Sequence, residues 1–261
     1  MNMEPAGMFV SSDRTYRRSM QSVTVIPLPV LGRRNVNTFL LCGERTVLVD
    51  TGTPGSGPKI LARIEAQGLR PRDLAAIVVT HGHIDHFGSA AFLHEATKAP
   101  IIAHAGDLET YAQGRVTGPL PPTGPFGWLF RKTPLPHAHT QPFVPHVVLD
   151  APAALHDYGV AAQILPTPGH TPGSISVLTD AGALIAGDLI AGRFLGLLAA
   201  PADPPFHDDP ARNLASLNAM LDRDPTTLYV GHGAALDAAR VRRWARREQH
   251  RLVTRGITSP G

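Results

Sequence analysis

Short apolar runs alternate with amphipathic segments along the chain. Runs of β-branched and apolar residues predict strands, and apolar residues recurring every three or four positions predict helices. Helices are predicted near 58–67, 88–97, 210–221 and 236–253. Strands are predicted at 23–26, 38–41, 46–49, 74–79, 163–165, 174–178, 183–185 and 228–230. This order, with a break near the middle, predicts an α/β (α+β) protein whose two similar halves pack sheet against sheet.

The break coincides with a segment rich in proline and aromatic residues, at about 115–146. Eight prolines lie between Pro119 and Pro145, and proline interrupts regular helices and central strands, so we expect an irregular insert. Aromatic residues such as Trp128 and Phe130 argue against a plain solvated linker. A lid over a substrate pocket, a contact in a homodimer and an inert loop all remain open as interpretations.

The composition is that of a protein with a large core. Hydrophobic residues make up 43% of the 261 residues and charged residues 17%, which excludes global disorder. We expect a single domain over 1–261. No apolar stretch approaches the roughly 20 residues of a membrane span, and residues 1–22 lack the apolar region of a signal peptide, so a cytoplasmic location is expected. Cys42 is alone, which excludes an intrachain disulfide and a thiolate metal cluster.

The basic charge is concentrated near the C-terminus. Of the net charge of +3, seven arginines and Glu248 within 240–255 contribute +6, so the rest of the chain carries −3. The apolar spacing within 236–253 predicts an amphipathic helix with a basic face. A terminal helix docked on the domain is the simpler interpretation, and binding of nucleic acid or an anionic surface is the alternative.

The hexapeptide 81–86, His-Gly-His-Ile-Asp-His, directly follows the predicted strand 74–79. His81 and His83 alternate as on an extended strand, so both can point at one ion. Asp85 and His86 follow in a turn that can reach a second ion. Neutral imidazole and carboxylate suit Zn²⁺, Fe or Mn. Three of the thirteen histidines fall in these six residues, so we predict a metal site.

Three further candidate ligands follow predicted strands. His170, Asp188 and His232 each come shortly after an apolar run and next to a glycine. Ligands at strand ends on one edge of a sheet are a common way for α/β proteins to build a site.

The order His81-x-His83-x-Asp85-His86, then His170, Asp188 and His232, resembles the metallo-β-lactamase superfamily over 37–232. The resemblance implies a four-layer αββα sandwich with the site at one sheet edge. It also implies that Asp188 bridges two metals, that Asp50 orients a ligand imidazole, and that Asp85 and Asp188 act in catalysis. The implied ligands are His81, His83 and His170 for the first metal and Asp85, His86 and His232 for the second.

This resemblance implies a binuclear metallo-hydrolase similar to glyoxalase II and the lactonases. Two divalent ions, zinc foremost and iron or manganese as alternatives, lower the pKa of a bridging water so that hydroxide attacks an ester-like bond. The expected substrate is a small acyl thioester or lactone. A phosphodiesterase or nuclease of the same fold and a mononuclear-iron sulfur dioxygenase are the alternatives. A structural zinc is disfavoured, because such sites are usually rich in cysteine.

The sequence differs from the patterns of several branches of this superfamily, and these differences limit the expected class of substrate. The bridging Asp188 disfavours β-lactam hydrolysis as the main role. Residues 189–192 lack the tyrosine that lactonases carry there, and about 29 residues after His232 leave no room for the helical domain of glyoxalase II. Four residues are candidates for the substrate pocket: Tyr229, Trp128, Phe130 and Arg193. His137 and His139 mimic a ligand pair, but a surface or lid position is expected for them.

Overall fold

A computed structural model describes residues 22–32, 35–132, 138–193 and 197–257. Over these residues the strands are β1 Thr24–Leu31, β2 Val36–Cys42, β3 Thr46–Val49, β4 Leu74–Val78, β5 Ile101–His104, β6 Val147–Leu149, β7 Ala153–Ala154, β8 Ala162–Pro166, β9 Ile175–Thr179, β10 Ala183–Ile185, β11 Ala191–Arg193, β12 Leu198–Ala202, β13 Thr227–Tyr229 and β14 Leu236–Asp237. The α-helices are α1 Gly57–Glu65, α2 Ile84–Phe87, α3 Ala90–Thr97, α4 Leu108–Gln113, α5 Pro125–Phe130, α6 Pro210–Leu221 and α7 Ala238–Thr254.

Two six-stranded sheets carry the fold. The first has the strand order β1-β2-β3-β4-β5-β6, and the second has the order β14-β13-β10-β9-β8-β7. In the first sheet β3, β4, β5 and β6 are parallel neighbours, and in the second sheet β10 is parallel to β13. Strands β11 and β12 form a separate hairpin.

The two sheets pack face to face because both faces of their central strands are apolar. Along β3, Val47 and Val49 point into the layer between the sheets, where they join Val177 of the second sheet. Leu48 points to the opposite face and packs with Ile60 of α1. This period of two is what a strand buried on both faces requires.

Helices cover the outer face of each sheet. On the first sheet α1 and α3 contribute Ile60, Ile64 and Leu93 to the outer core. On the second sheet α6 and α7 contribute residues such as Leu217 and Val241. The layers therefore run helix, sheet, sheet, helix, and the predicted αββα sandwich is confirmed.

The structure corrects three sequence-based expectations. Strand β1 continues to Leu31 through Pro27 and Pro29, because it is an edge strand whose free side needs no N–H donors. The insert contains a regular helix, α5, which proline permits because Pro125 occupies the first turn. The first two residues predicted for the C-terminal helix instead form β14.

No helix among the described residues is long and apolar enough to cross a membrane. His137, one of the paired histidines in the insert, lies outside the described residues.

Candidate metal centre

Strand ends deliver the candidate ligands to one edge of the sandwich. Asp50 follows β3 and His81 follows shortly after β4, and these two strands are parallel neighbours. Asp188 and His232 follow β10 and β13, which are also parallel. His170 follows β8, which runs in the direction of β10 because both are antiparallel to β9. The parallel directions explain why side chains from distant parts of the sequence meet.

His81, His83 and His170 form the first group of candidate ligands. Nε2 of His170 lies 3.1 Å from Nε2 of His81 and 2.9 Å from Nδ1 of His83. Three ring nitrogens thus converge on one point, which suits a single metal ion.

Asp85, His86 and His232 form the second group. Nε2 of His232 lies 3.4 Å from Oδ2 of Asp85, and Nε2 of His86 lies 4.0 Å from the same oxygen. Two imidazoles and one carboxylate are ligands that zinc, iron and manganese accept.

The Asp188 carboxylate lies between the two groups. Its Oδ1 is 3.6 Å from Nε2 of His86. Its Oδ2 is 3.2 Å from Nε2 of His232 and 3.7 Å from Nε2 of His170. One carboxylate therefore faces ligands of both groups.

The far side of the ligand rings is held by the protein. Nδ1 of His86 pairs with Oδ2 of Asp50 at 2.8 Å, and Nδ1 of His81 lies 3.0 Å from the Thr80 hydroxyl. Because that hydroxyl donates to Asp50 Oδ2 at 2.9 Å, it accepts from His81. The Nδ1 atoms of His170 and His232 face the backbone carbonyls of residues 206 and 35. Such partners fix the tautomer that leaves Nε2 available to a metal.

Two atoms in the site fit a metal and lack a protein partner. Nε2 of His86 and Oδ1 of Asp188 are buried, and neither has a hydrogen bond to the described part of the chain. Leaving a buried polar atom unpaired costs free energy. The backbone of residue 231 can lie against these two side chains because it is a glycine. A Cβ there would lie 2.3 Å from Asp188 Oδ1 and 2.5 Å from His86 Cε1. The donor set therefore fits a divalent cation.

The pKa values of the ligand histidines are lowered in the first group and raised in the second. Burial holds the pKa of His81 and His170 well below the usual range and lowers that of His83, with neighbouring histidines adding to the effect. Burial opposes protonation of His86 and His232 as well, but Asp188 and other carboxylates outweigh it. They raise the pKa of His86 to about 9 and that of His232 to about 10. The second group thus attracts positive charge strongly.

Sequence reasoning missed Asp107, which joins the two loops that carry the first group. Its buried carboxylate accepts hydrogen bonds from Gly82 N at 2.6 Å, Gly173 N at 2.9 Å and the Thr171 hydroxyl at 2.7 Å. The signal was present, because Asp107 follows an apolar run as the ligands do, but 101–104 was not predicted as a strand.

Two other supporting residues were also missed. The Asn37 side chain donates to the carbonyls of Val230 and Gly233 at 2.9 and 2.8 Å, and so holds the loop that carries His232. The buried His207 lies with its Nδ1 3.1 Å from Nδ1 of His170. A single sequence gives no signal that distinguishes them from ordinary polar residues.

A cleft of about 310 Å³ opens above the two ligand groups. His83, Asp85, His170, Asp188 and His232 line its floor. Its walls are mostly apolar and are formed by Leu31, Val36, Ile84, Val116, Leu120, Phe130, Pro205 and Phe206, with Asn35 and Thr53 as the polar members. Such a cavity suits an apolar ligand with one reactive polar group.

Only one of the four pocket candidates lines this cleft. Phe130 does so, from the end of α5. Trp128 lies on the outer side of α5, 51% exposed, with Nζ of Lys132 3.6 Å from its ring centroid. Tyr229 packs edge-on against Phe39 between the sheets, with ring centroids 5.8 Å apart. Arg193 lines a different cavity.

Comparisons with known proteins agree with this geometry. The family described as the metallo-beta-lactamase superfamily matches residues 31–232. The chain is 28% identical over 202 residues to the "Probable metallo-hydrolase YflN" of Bacillus subtilis, a match that covers 72% of this chain and 75% of that protein.

Two further similarities bear on chemistry. The chain is 31% identical over 159 residues to a hydroxyacylglutathione hydrolase of Anaeromyxobacter dehalogenans, covering 61% of this chain and 47% of that protein. The crystal structure of TTHA1623 in a di-iron-bound form aligns with a TM-score of 0.60 at 27% identity, covering 84% of this chain and 97% of that one.

Proposed function

The chain belongs to the metallo-β-lactamase superfamily and is a metallo-hydrolase, and from this premise we propose that it hydrolyses thioesters of small acyl groups at a site for two divalent ions. The observation that carries the proposal is the position of the Asp188 carboxylate, which faces His86 and His232 of the second group and His170 of the first group below an apolar cleft.

The ligands divide between the two ions as the distances suggest. His81 and His170 through Nε2, and His83 through Nδ1, would hold the first ion. Asp85 and Nε2 of His86 and of His232 would hold the second ion, and the Asp188 carboxylate is placed to serve both. Zinc is the ion we expect first, and iron is the second expectation because TTHA1623 binds two irons.

Divalent ions bound there polarise a substrate carbonyl and lower the pKa of water. The chain itself positions and shields the reaction. Asp85 faces the cleft with its carboxylate, where it can accept a proton from the attacking water, and Asp188 stays ionised beside His86 and His232. Asp50 holds the His86 ring from behind. Water supplies the oxygen of the acid product, the carbon–sulfur bond breaks, and the thiol leaves with one proton of that water.

The lining of the cleft supports an acyl substrate. Leu120, Phe130 and Phe206 offer apolar surface to a hydrocarbon chain, and the ligands lie at the floor where a carbonyl would sit. The hydroxyacylglutathione hydrolase among the relatives acts on a thioester according to its name, which supports a carbon–sulfur bond as the one cleaved. A lactone is the second candidate, since an ester carbonyl presents the same polarisable oxygen.

The test is a pH-stat assay of acid release on protein with measured metal content. The substrates are S-lactoylglutathione, an octanoyl thioester of N-acetylcysteamine, a medium-chain acyl lactone and bis(p-nitrophenyl) phosphate. Two metal ions per chain and turnover of a thioester at roughly 1 s⁻¹ or more are expected. Thioesters left intact by protein holding two ions would overturn the proposal, and cleavage of the phosphate diester alone would assign a phosphodiesterase.

Variants connect turnover to the ligands. His83→Ala and Asp188→Asn should each lower metal content and thioester turnover together. The matched control is His156→Ala, because His156 is a surface histidine that lies 3.7 Å from Asp180 and outside the site. Full activity of His83→Ala with unchanged metal content would contradict the ligand assignment.

A further inference from the structure

A second cavity of about 560 Å³ lies beside the metal cleft. It is bounded by the start of α5, by the β11–β12 hairpin and by one face of α7. Its charged lining consists of Arg193, Arg240, Arg243, Arg247, Arg251, Asp203 and Glu248. Five guanidinium groups against two carboxylates make this cavity strongly positive.

The carboxylates of Asp203 and Glu248 both pair with Arg251. Arg251 binds Glu248 through Nε at 2.7 Å and Asp203 through a terminal nitrogen at 3.1 Å. Arg240, Arg243 and Arg247 make no ion pair with the described part of the chain. Their spacing of three and four residues places them in a row along one side of α7. Like charges in such a row repel one another and destabilise the helix. Binding of an anionic ligand would therefore stabilise this part of the protein.

The cationic cavity and the metal cleft share a wall. Phe126 and Gly127 line the cationic cavity, and Phe130, on the same short helix, lines the metal cleft. Asp203 lines the cationic cavity and Pro205 lines the metal cleft. Because they are two residues apart in the sequence, their Cα atoms are at most about 7.6 Å apart. The two cavities are therefore neighbours, and an elongated thioester is long enough to extend from one to the other.

We propose that the cationic cavity binds the phosphate groups of the thiol carrier of an acyl thioester, while the acyl group occupies the metal cleft. This inference rests on the proposed thioesterase function and adds the chemical class of the leaving group. Guanidinium groups bind phosphate through paired hydrogen bonds. A concave site enclosed by three elements suits a discrete phosphorylated molecule, whereas a nucleic-acid strand needs a continuous groove.

Two thioesters with the same acyl group test the inference. Octanoyl-coenzyme A carries phosphates on its thiol carrier, and octanoyl-N-acetylcysteamine carries none. The ratio of their kcat/KM values should favour the coenzyme A ester in the native protein. In the double variant R243Q/R247Q this ratio should fall about tenfold or more, because two charged contacts to phosphate are lost. The matched control is Arg246→Gln, an exposed arginine of the same helix outside the cavity, and it should leave the ratio unchanged.

A binding measurement gives a readout independent of turnover. Adenosine 3′,5′-bisphosphate should bind the native protein in titration calorimetry, more weakly at higher salt, and should not bind R243Q/R247Q. An equal kcat/KM ratio in the native protein and the double variant would overturn this inference and leave the proposed thioesterase intact. If neither thioester is hydrolysed by protein holding two ions, the proposed function and this inference both fall. Arginine-dependent binding of an RNA oligomer or of phosphatidylserine vesicles, without binding of the bisphosphate, would overturn it in favour of a macromolecular partner.

Discussion

The Asp50 carboxylate holds the His86 ring from behind, with Oδ2 2.8 Å from Nδ1 and both side chains fully buried. Asp50 also accepts the backbone N–H and the hydroxyl of Thr80 at 2.8 and 2.9 Å. Its backbone has a φ of 63°, a conformation that asparagine and aspartate tolerate better than most residues. A single side chain therefore links the end of β3, the residue before His81 and a candidate ligand of the second group.

Asp50→Asn tests this link with little change in shape. The variant keeps the backbone conformation but loses the negative charge that orients and polarises His86. We expect affinity for the second ion to fall about 10- to 100-fold, as for other residues that orient metal ligands. Competition with a chromophoric chelator measures both affinities. The first ion should lose much less affinity, because Asp50 reaches His81 only through the Thr80 hydroxyl. Equal loss of both ions would show that Asp50 only supports the fold.

Asp107→Ala tests the residue that joins the loops of the first group. The change leaves the N–H groups of Gly82 and Gly173 without their buried acceptor. We expect a loss of about 3 kcal/mol in the free energy of unfolding, together with weaker binding of the first ion. Urea unfolding measures the loss. Asp73→Ala, which removes an exposed ion pair to Arg70, should cost less than about 1 kcal/mol.

Gly231→Ala tests how closely the backbone must approach the ligands. A Cβ at this position would overlap Asp188 Oδ1, so the carboxylate or the His86 ring must move. Displacement of such groups by an ångström costs catalysis about 100-fold. Turnover should fall by at least that factor, and metal content should drop towards one ion per chain. Gly124→Ala is the control, since a Cβ there meets nothing within 4 Å.

The ligand set illustrates what a sequence can predict. His170, Asp188 and His232 each follow an apolar run, and the parallel direction of neighbouring strands brings such positions to one sheet edge. The sequence therefore anticipates which residues meet. It does not predict that His83 turns Nδ1, rather than Nε2, towards the first group, because that depends on the turn between β4 and α2.

The pocket candidates show why the remainder was harder to predict. Trp128 and Phe130 are two positions apart, and on a helix this spacing puts them on opposite faces. Once α5 is known, only one of them can face the cleft. The helix was not predicted, because the prolines of the insert indicated an irregular segment. Arg193 points into the cationic cavity because the β11–β12 hairpin, also not predicted, carries it there.

Phe130→Ala tests the apolar wall of the cleft. Removing the ring exposes a longer acyl chain to water, so kcat/KM for an octanoyl thioester should fall about tenfold more than for the acetyl thioester of the same thiol. Steady-state kinetics on the two esters give this ratio. Trp128→Ala removes a larger aromatic ring from the outer side of the same helix and should leave the ratio unchanged. A similar loss for both esters would indicate that Phe130 supports the fold of the insert instead of contacting the chain of the substrate.

The raised pKa values of His86 and His232 predict that the second ion binds with release of protons. With pKa values of about 9 and about 10, both rings are protonated at pH 7 in metal-free protein, and a metal accepts only neutral imidazole. Burial keeps the first group neutral, because the pKa values of its histidines are lowered. Titration calorimetry in buffers of different ionisation enthalpy should show almost no proton release with the first ion. It should show at least two protons with the second ion, one from each ring and a further one where the bound water ionises.

The same pKa values fix how the stability of the metal-free protein depends on pH. A histidine whose pKa is higher in the folded than in the unfolded state stabilises the fold below its unfolded pKa, about 6.5. That stabilisation is lost as the pH rises through the folded values of about 9 and about 10. Thermal unfolding of metal-free protein should therefore show a midpoint that falls between pH 7 and pH 10. Protein loaded with two ions should lack this decline, because its imidazoles carry no proton to lose. The same slope in both forms would show that groups outside the site govern the decline.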